Sequence, residues 1–191
     1  GVQTCALPIL PPTVWRSNKS EAPLGGLAPM GVHAIDLMLW LVGEIDTAYC
    51  QSTARVVTNG TDDTTSMLFR MKSGVTGYLG TMTTTGAGFS FQVFGSKGWV
   101  RIEGVTHVAG ASSEERRTRQ FGTCKFQPVK GPAETWEADK LDIVRATFEA
   151  FARAAQGGPA FPIPPEQIVH RASVSEALIR SAGSGQVEKV G

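Results

Sequence analysis

Residues 25–43 read GGLAPMGVHAIDLMLWLVG, and this stretch constrains the chain more than any other. A glycine-rich loop carrying Pro29 runs into a segment holding Val32, Ala34, Ile35, Leu37, Met38, Leu39, Leu41 and Val42, closed by Gly43. That apolar density predicts a short helix, and a glycine just past its end tolerates the left-handed conformation in which helices commonly stop. A helix apolar on most sides is expected to be buried. Three residues break the apolar surface. His33, Asp36 and Trp40, at i, i+3 and i+7, share one stripe. A polar stripe with an imidazole at its N-terminal end predicts that the helix borders a cleft.

Composition narrows the setting. A hydrophobic content of 41% with 18% charged residues describes a folded domain rather than a disordered chain, and 191 residues suffice for one good-sized core. A net charge of +1 gives no reason to expect nucleic acid or an anionic membrane as partner. The longest apolar run, residues 37–42, falls far short of the roughly 20 residues that cross a bilayer. Cys5, Cys50 and Cys124 are odd in number, far apart and without CxxC grouping, which argues against a metal site or a disulfide framework. A reducing, cytoplasmic compartment is the default expectation. Residues 1–14 lack periodicity, contain Pro11-Pro12 and read as a non-native or disordered leader. Residues 15–191 then form the domain.

After the first helix the pattern turns to strands. Residues 48–57 are rich in β-formers, and in 64–71 Thr65, Met67, Phe69 and Met71 alternate with Thr64, Ser66, Leu68 and Arg70. Lys72-Ser73-Gly74 predicts a hairpin turn into a strand over 75–84. Further strands are expected at 89–94, where Phe89, Phe91 and Val93 share a face, at 99–103 after Gly95-Ser96-Lys97-Gly98, and at 121–127. Short strands joined by tight turns imply an antiparallel meander. The open side of that sheet would carry Thr76, Tyr78, Met82 and Thr84, a mixed surface suited to pairing with another copy. Glu114-Glu115-Arg116-Arg117 reads as a solvated surface, and His107 has no evident partner.

Helical spacing returns near the C-terminus. Leu141, Val144, Phe148, Phe151 and Ala155 predict a buried stripe on a helix with Asp139 as N-cap and Gly157-Gly158 as its stop. A proline-rich crossing at 159–165 leads to a last helix over 166–182, with Ile168, Ala172, Ser175, Leu178 or Ile179, and Ala182 inward. His170 falls beside that stripe and reads as a surface or hydrogen-bonded histidine. The whole is α+β: a mostly antiparallel, open-faced sheet with helices packed on one face.

Taken in order, GVHAIDLMLWLVG, Asp62-Asp63-Thr64, the 71–75 turn, Gly95-Ser96-Lys97-Gly98-Trp99 and Ser181-Ala182-Gly183-Ser184-Gly185-Gln186 resemble the C-terminal domain of the glucose-fructose oxidoreductase/inositol dehydrogenase (Gfo/Idh/MocA) family over residues 15–191. The resemblance implies a fold like the C-terminal domain of glyceraldehyde-3-phosphate dehydrogenase. It also implies an enzyme of two domains, an N-terminal Rossmann domain holding NAD or NADP and a C-terminal domain shaping the substrate site and the oligomer. The first is not represented in this sequence. Gly86-Ala87-Gly88 and Gly183-Ser184-Gly185 lack the third glycine of a dinucleotide-binding turn, and the family's Glu-Lys-Pro segment with its catalytic lysine has no counterpart.

His33 matches the family's active-site histidine. On the residues alone, a functional imidazole and one hydrogen-bonded in the core fit equally; the resemblance favours the first. Oxidising an alcohol requires moving its hydroxyl proton, and imidazole titrates near neutral pH. The glycines before it would let substrate approach closely. Asp36 is a candidate substrate-binding residue that could also orient His33, although a carboxylate on an apolar helix needs a partner regardless. Arg16, in the segment that runs beside substrate in the family, is a candidate to pair a carboxylate or phosphate. Where many members have an aspartate four residues before the histidine, this chain has Pro29. Two functions follow as expectations. One is the substrate domain of an NAD(P)-dependent oxidoreductase for a sugar, polyol or related hydroxy or keto compound, inactive alone and oligomeric through its open sheet face. The other is a non-catalytic ligand-binding or assembly module that kept this domain.

Overall fold

The computed structural model describes residues 14–86, 88–104, 112, 114–115 and 122–191, and of Arg16 the backbone only. The expected residue roles of the 1–13 leader and of His107, Arg116 and Arg117 lie outside the described residues.

The alternation at 64–71 does what period two requires. In β2 (Thr64–Met71), Thr65, Met67, Phe69 and Met71 are buried, while Leu68 and Arg70 face out. Antiparallel neighbours β1 (Ile45–Thr53) and β3 (Thr76–Met82) extend the buried face, with Cys50 opposite Met67 and Met67 opposite Leu79. The 72–74 hairpin is present, with Gly74 at φ +86° and its N–H donating to the Met71 carbonyl. The expected single sheet is two. A second meander joins β4 (Phe89–Gly95), β5 (Gly98–Gly104), β6 (Thr123–Pro128) and β7 (Glu134–Glu137), and β8 (Glu188–Lys189) returns to pair with β1. The strand orders are β3-β2-β1-β8 and β4-β5-β6-β7, both antiparallel.

Two helices cover the first sheet: α1 (Gly31–Val42) and α3 (Pro165–Ser184), the latter following α2 (Ile143–Ala155). The core joins Ile35, Met38 and Leu39 of α1 to Val174, Ala177 and Leu178 of α3, over Ile45, Ala48, Met67, Phe69 and Leu79; Phe89 and Phe91 pack at its edge. Full burial of side chains such as Ile35 and Leu178 contributes about 1.5–3 kcal/mol each. Burial pushes the Cys50 thiol up to about 12, so it stays protonated and inert.

Three helix expectations need correction. In α3 the inward residues are Val174, Ala177, Leu178 and Ser181, whereas Ile168, Ala172 and Ile179 are exposed. Small residues set this phase because α3 lies close on β1. Ser181 Oγ accepts the Cys50 N–H at 2.9 Å and donates to the Gln186 carbonyl at 2.5 Å. His170 sits on this inner side and is satisfied, its Nε2 accepting the Ile45 N–H at 3.1 Å. α2 starts later than expected: Asp142, not Asp139, is its N-cap and accepts the Arg145 N–H at 3.0 Å. Its apolar stripe is not buried. Leu141, Val144, Phe148 (70% exposed) and Phe151 lie open, with Phe151 meeting only Phe161 edge-on at 6.0 Å between ring centroids among the described ring contacts. Helical periodicity reports which side avoids water, not whether this chain supplies the cover.

The Asp62-Asp63 turn is a structural knot. Lys19 Nζ lies 3.0 Å from Asp62, and the buried Asp63 carboxylate accepts the N–H groups of Arg55 (3.0 Å), Val56 (2.6 Å) and Val57 (2.9 Å) and the Thr64 hydroxyl (2.9 Å). Burial pushes this carboxyl up, but the three amides and the hydroxyl outweigh it and hold it below the usual carboxylate value. A carboxyl depressed in the fold stabilises above its unfolded value near 4, and that contribution is lost as pH falls below it. Asp63→Asn is therefore expected to cost about 2 kcal/mol at neutral pH. Urea titrations of both proteins should show the gap narrowing below about pH 4; a gap that persists unchanged would remove the carboxylate from this role.

Candidate functional site

The site is built around the start of α1. Leu24 (φ +60°) and Gly25 (φ +54°) reverse the chain in left-handed conformation, and a 3-10 turn over Gly25–Leu27 feeds the helix. The glycines answer to packing against protein. A Cβ on Gly25 would lie 2.1 Å from the Asp62 carbonyl oxygen, and one on Gly26 would lie 3.0 Å from Thr81 Cβ on β3. Thr65 Oγ1 donates to the Leu24 carbonyl at 3.0 Å and fastens the turn to β2. The expectation that these glycines clear space for substrate is thus replaced by close approach to protein, at Gly25 to the Asp62-Asp63 turn and at Gly26 to β3. Their effect is to fix where α1 begins.

α1 is buried along one side only. Gly31, Ala34, Ile35, Met38 and Leu39 face the core, while His33, Trp40 (64% exposed) and Leu41 face out. The expected general burial of this helix does not hold: of the stripe at i, i+3 and i+7, His33 and Trp40 are exposed and Asp36 is half-buried. The His33 backbone N–H donates to the Met30 carbonyl at 3.1 Å, and no side chain caps the helix start. Among the described residues no hydrogen bond is made to the His33 ring. An exposed imidazole with both nitrogens uncommitted can accept or donate a proton to whatever reaches the helix start.

Asp36 stands one turn from His33, but its carboxylate goes elsewhere. Oδ2 lies 3.1 Å from Arg171 Nη1 on α3, and Gln167 Nε2 reaches the Asp36 carbonyl at 3.5 Å. Sequence reasoning required a partner for this carboxylate without finding one. Arg171 follows 135 residues later, on α3. Arg16 lies in a 3-10 turn over Trp15–Ser17, and its side chain is outside the described residues. Pro29 is half-buried just before the helix. Among the described residues there is no group of three or more metal-ligating side chains, and no helix is long and apolar enough to cross a membrane.

Several solved structures share this fold. An aldose-aldose oxidoreductase from Caulobacter crescentus, complexed with glycerol, superposes with a TM-score of 0.78 at 20% identity over 98% of this chain and 54% of its own. A candidate NADPH-dependent oxidoreductase from Desulfitobacterium hafniense gives a TM-score of 0.84 at 19% identity, covering 99% of this chain and 55% of its own. A levoglucosan dehydrogenase in complex with NADH gives 0.70 at 18% identity, covering 100% and 57%. At these identities the likeness is one of fold, and the chain spans about half the length of the proteins it resembles. No curated protein matches it in sequence. The sequence pattern of the GFO/IDH/MocA C-terminal domain matches residues 4–101, beginning within the segment read as a leader and taking in the loop, α1, the first four strands and the start of β5. The chain therefore belongs to the GFO/IDH/MocA oxidoreductase family and carries its C-terminal domain.

Proposed function

We propose that this chain is the substrate-binding and oligomerisation part of a cytoplasmic NAD(P)-dependent oxidoreductase acting on a sugar, polyol or related hydroxy or keto compound. The observation that carries the reading is His33, an imidazole with uncommitted nitrogens on the open side of a helix whose other side is rooted in the core. In this role His33 takes the hydroxyl proton as an alcohol carbon becomes a carbonyl, and returns it in the reverse direction. Asp36 and Arg16 are the residues we assign to the substrate side, Asp36 through the carboxylate oxygen not engaged by Arg171.

The described residues do not fit a dinucleotide site of their own. Every strand pairing among them is antiparallel, so they contain no βαβ unit with a glycine-rich turn to cradle a pyrophosphate. A nicotinamide, where it binds, supplies the hydride acceptor or donor, and we assign its binding mainly to a further, N-terminal domain. Support comes from family membership and from related folds that are oxidoreductases of nearly twice this length, one of them bound to NADH. The open face of the first sheet, where Leu68, Thr76 and Tyr78 lie exposed, is the surface we assign to self-association.

A second reading rests on Pro29, which can neither ionise nor donate in a place where many family members have an aspartate. It makes the chain a non-catalytic ligand-binding or assembly module. Calorimetry and rate measurement separate the two. The 191-residue chain alone is expected to show no heat of NADH binding and no turnover, and a protein restoring an N-terminal nucleotide-binding domain is expected to oxidise a polyol. Tight NADH binding by the chain alone would contradict the first reading, and an inert two-domain protein with intact NADH binding would establish the second.

A further inference from the structure

We infer that Arg171 is a positioning residue for His33, acting through Asp36; the inference rests on the reading of His33 given above. α1 meets the rest of the protein through Ala34, Ile35, Met38 and Leu39, and such apolar contact is nondirectional. It holds the helix against the sheet, and by itself supplies no directional bond to fix rotation about the helix axis. The loop before α1 fixes where the helix begins, but its ends carry no charged or capping contact. No side chain caps Met30, the first turn carries no acidic residue and the last no basic one.

Among the described residues, Asp36–Arg171 is the one ion pair made by α1. Both partners are half-buried, which shields the pair from solvent competition, and Gln167 adds a contact to the Asp36 carbonyl from the same turn of α3. Arg171 belongs to a helix whose own seat is fixed by Val174, Leu178 and the Ser181 bond to Cys50. The pair therefore transmits the position of a rigid element to α1 at a point one turn from His33. A ring about 6 Å from a helix axis moves by about 1 Å when the helix rotates by about 10°. A displacement of that size can cost on the order of 10²-fold in rate.

Arg180, on the same helix, forms a pair with Glu188 (3.4 Å) that touches β8 and not α1. It serves as the control for ordinary loss of an ion pair. The first measurement is the ring resonances of His33 in the 191-residue chain, with ¹³C-labelled histidine and assignment by substitution. Arg171→Met is expected to shift and broaden the His33 signals, Arg171→Lys to leave them close to the parent, and Arg180→Met to leave them unchanged. Should Arg171→Met fail to fold, Asp36→Asn breaks the same pair from the other side and is read in the same way. Unmoved His33 signals in a folded variant lacking the pair would overturn the inference, whatever His33 does chemically.

The second measurement is steady-state kinetics of the two-domain protein. There Arg171→Met is expected to lower kcat roughly 10-fold or more, with Arg171→Lys recovering most of the loss. A displaced His33 ring with unchanged kcat would uphold the coupling and overturn the catalytic reading of His33. A parallel fall in Arg180→Met would overturn the inference by showing that any weakening of α3 suffices.

Discussion

Replacing His33 by alanine in the two-domain oxidoreductase is expected to lower kcat by roughly 10²–10⁴-fold, the range typical of lost acid-base assistance. The size follows from how little else is available. Asp36, the nearest carboxylate along α1, is engaged by Arg171. Pro29 cannot take over a proton, and among the described residues no hydrogen bond leads from the His33 ring to a relay. KM should change far less, because an imidazole that moves a proton as the carbonyl forms acts in the transition state more than in the bound state. The stability of the fold should be nearly unaffected, since the ring is exposed and makes no hydrogen bond among the described residues. Rates at saturating and limiting substrate, with a thermal melt of each protein, check all three statements. A variant as active as the parent would remove His33 from the chemistry and favour the non-catalytic reading.

Gly25→Ala is expected to be the most damaging single-methyl change in the loop before α1. Its φ of +54° lies in the region that L-residues other than Asn and Asp rarely adopt, which costs about 1–2 kcal/mol. The added Cβ would also stand 2.1 Å from the Asp62 carbonyl oxygen, a backbone atom in the turn anchored by Asp63 and Lys19. Backbone cannot swing aside as a side-chain end can, so displacement adds an overpacking cost of about 1–3 kcal/mol. A total of about 3 kcal/mol is a large part of what a domain of this size possesses. Gly43→Ala is the comparison: φ there is +92°, but nothing lies within 4 Å of the added atom, so only the conformational cost applies. Chemical denaturation of the two variants should place Gly25→Ala well below Gly43→Ala. Equal losses would mean that the turn at Asp62 yields easily.

What could be read from residues alone was local and one-sided. Thr65, Met67, Phe69 and Met71 revealed β2 because one face of a strand meets the core and the other meets water. Gly74 and Gly43 revealed their turns because both need positive φ. The family resemblance rested on the same turns and on α1, and it held. The missed elements share a different cause. β7 and β8 have four and two residues, too few for alternation to show. The inward side of α3 is set by Ala177 and Ser181, small residues that let the helix approach β1 and carry no hydrophobic signal. The stripe on α2 was read correctly as a side and wrongly as a buried one, because cover is a property of neighbours. Arg171 was invisible as a partner of Asp36 since nothing in a sequence marks an ion pair across 135 residues.

The exposed imidazole is the point on which the functional account stands, and a crystal structure of the two-domain protein with NAD(P)H and a polyol tests it most directly. The expected result is a His33 ring nitrogen within about 3.2 Å of the reacting oxygen, with the outer side of α1, including Trp40, facing the cleft. A substrate seated on the open face of the first sheet, or a His33 ring turned to bulk solvent away from the bound polyol, would contradict it.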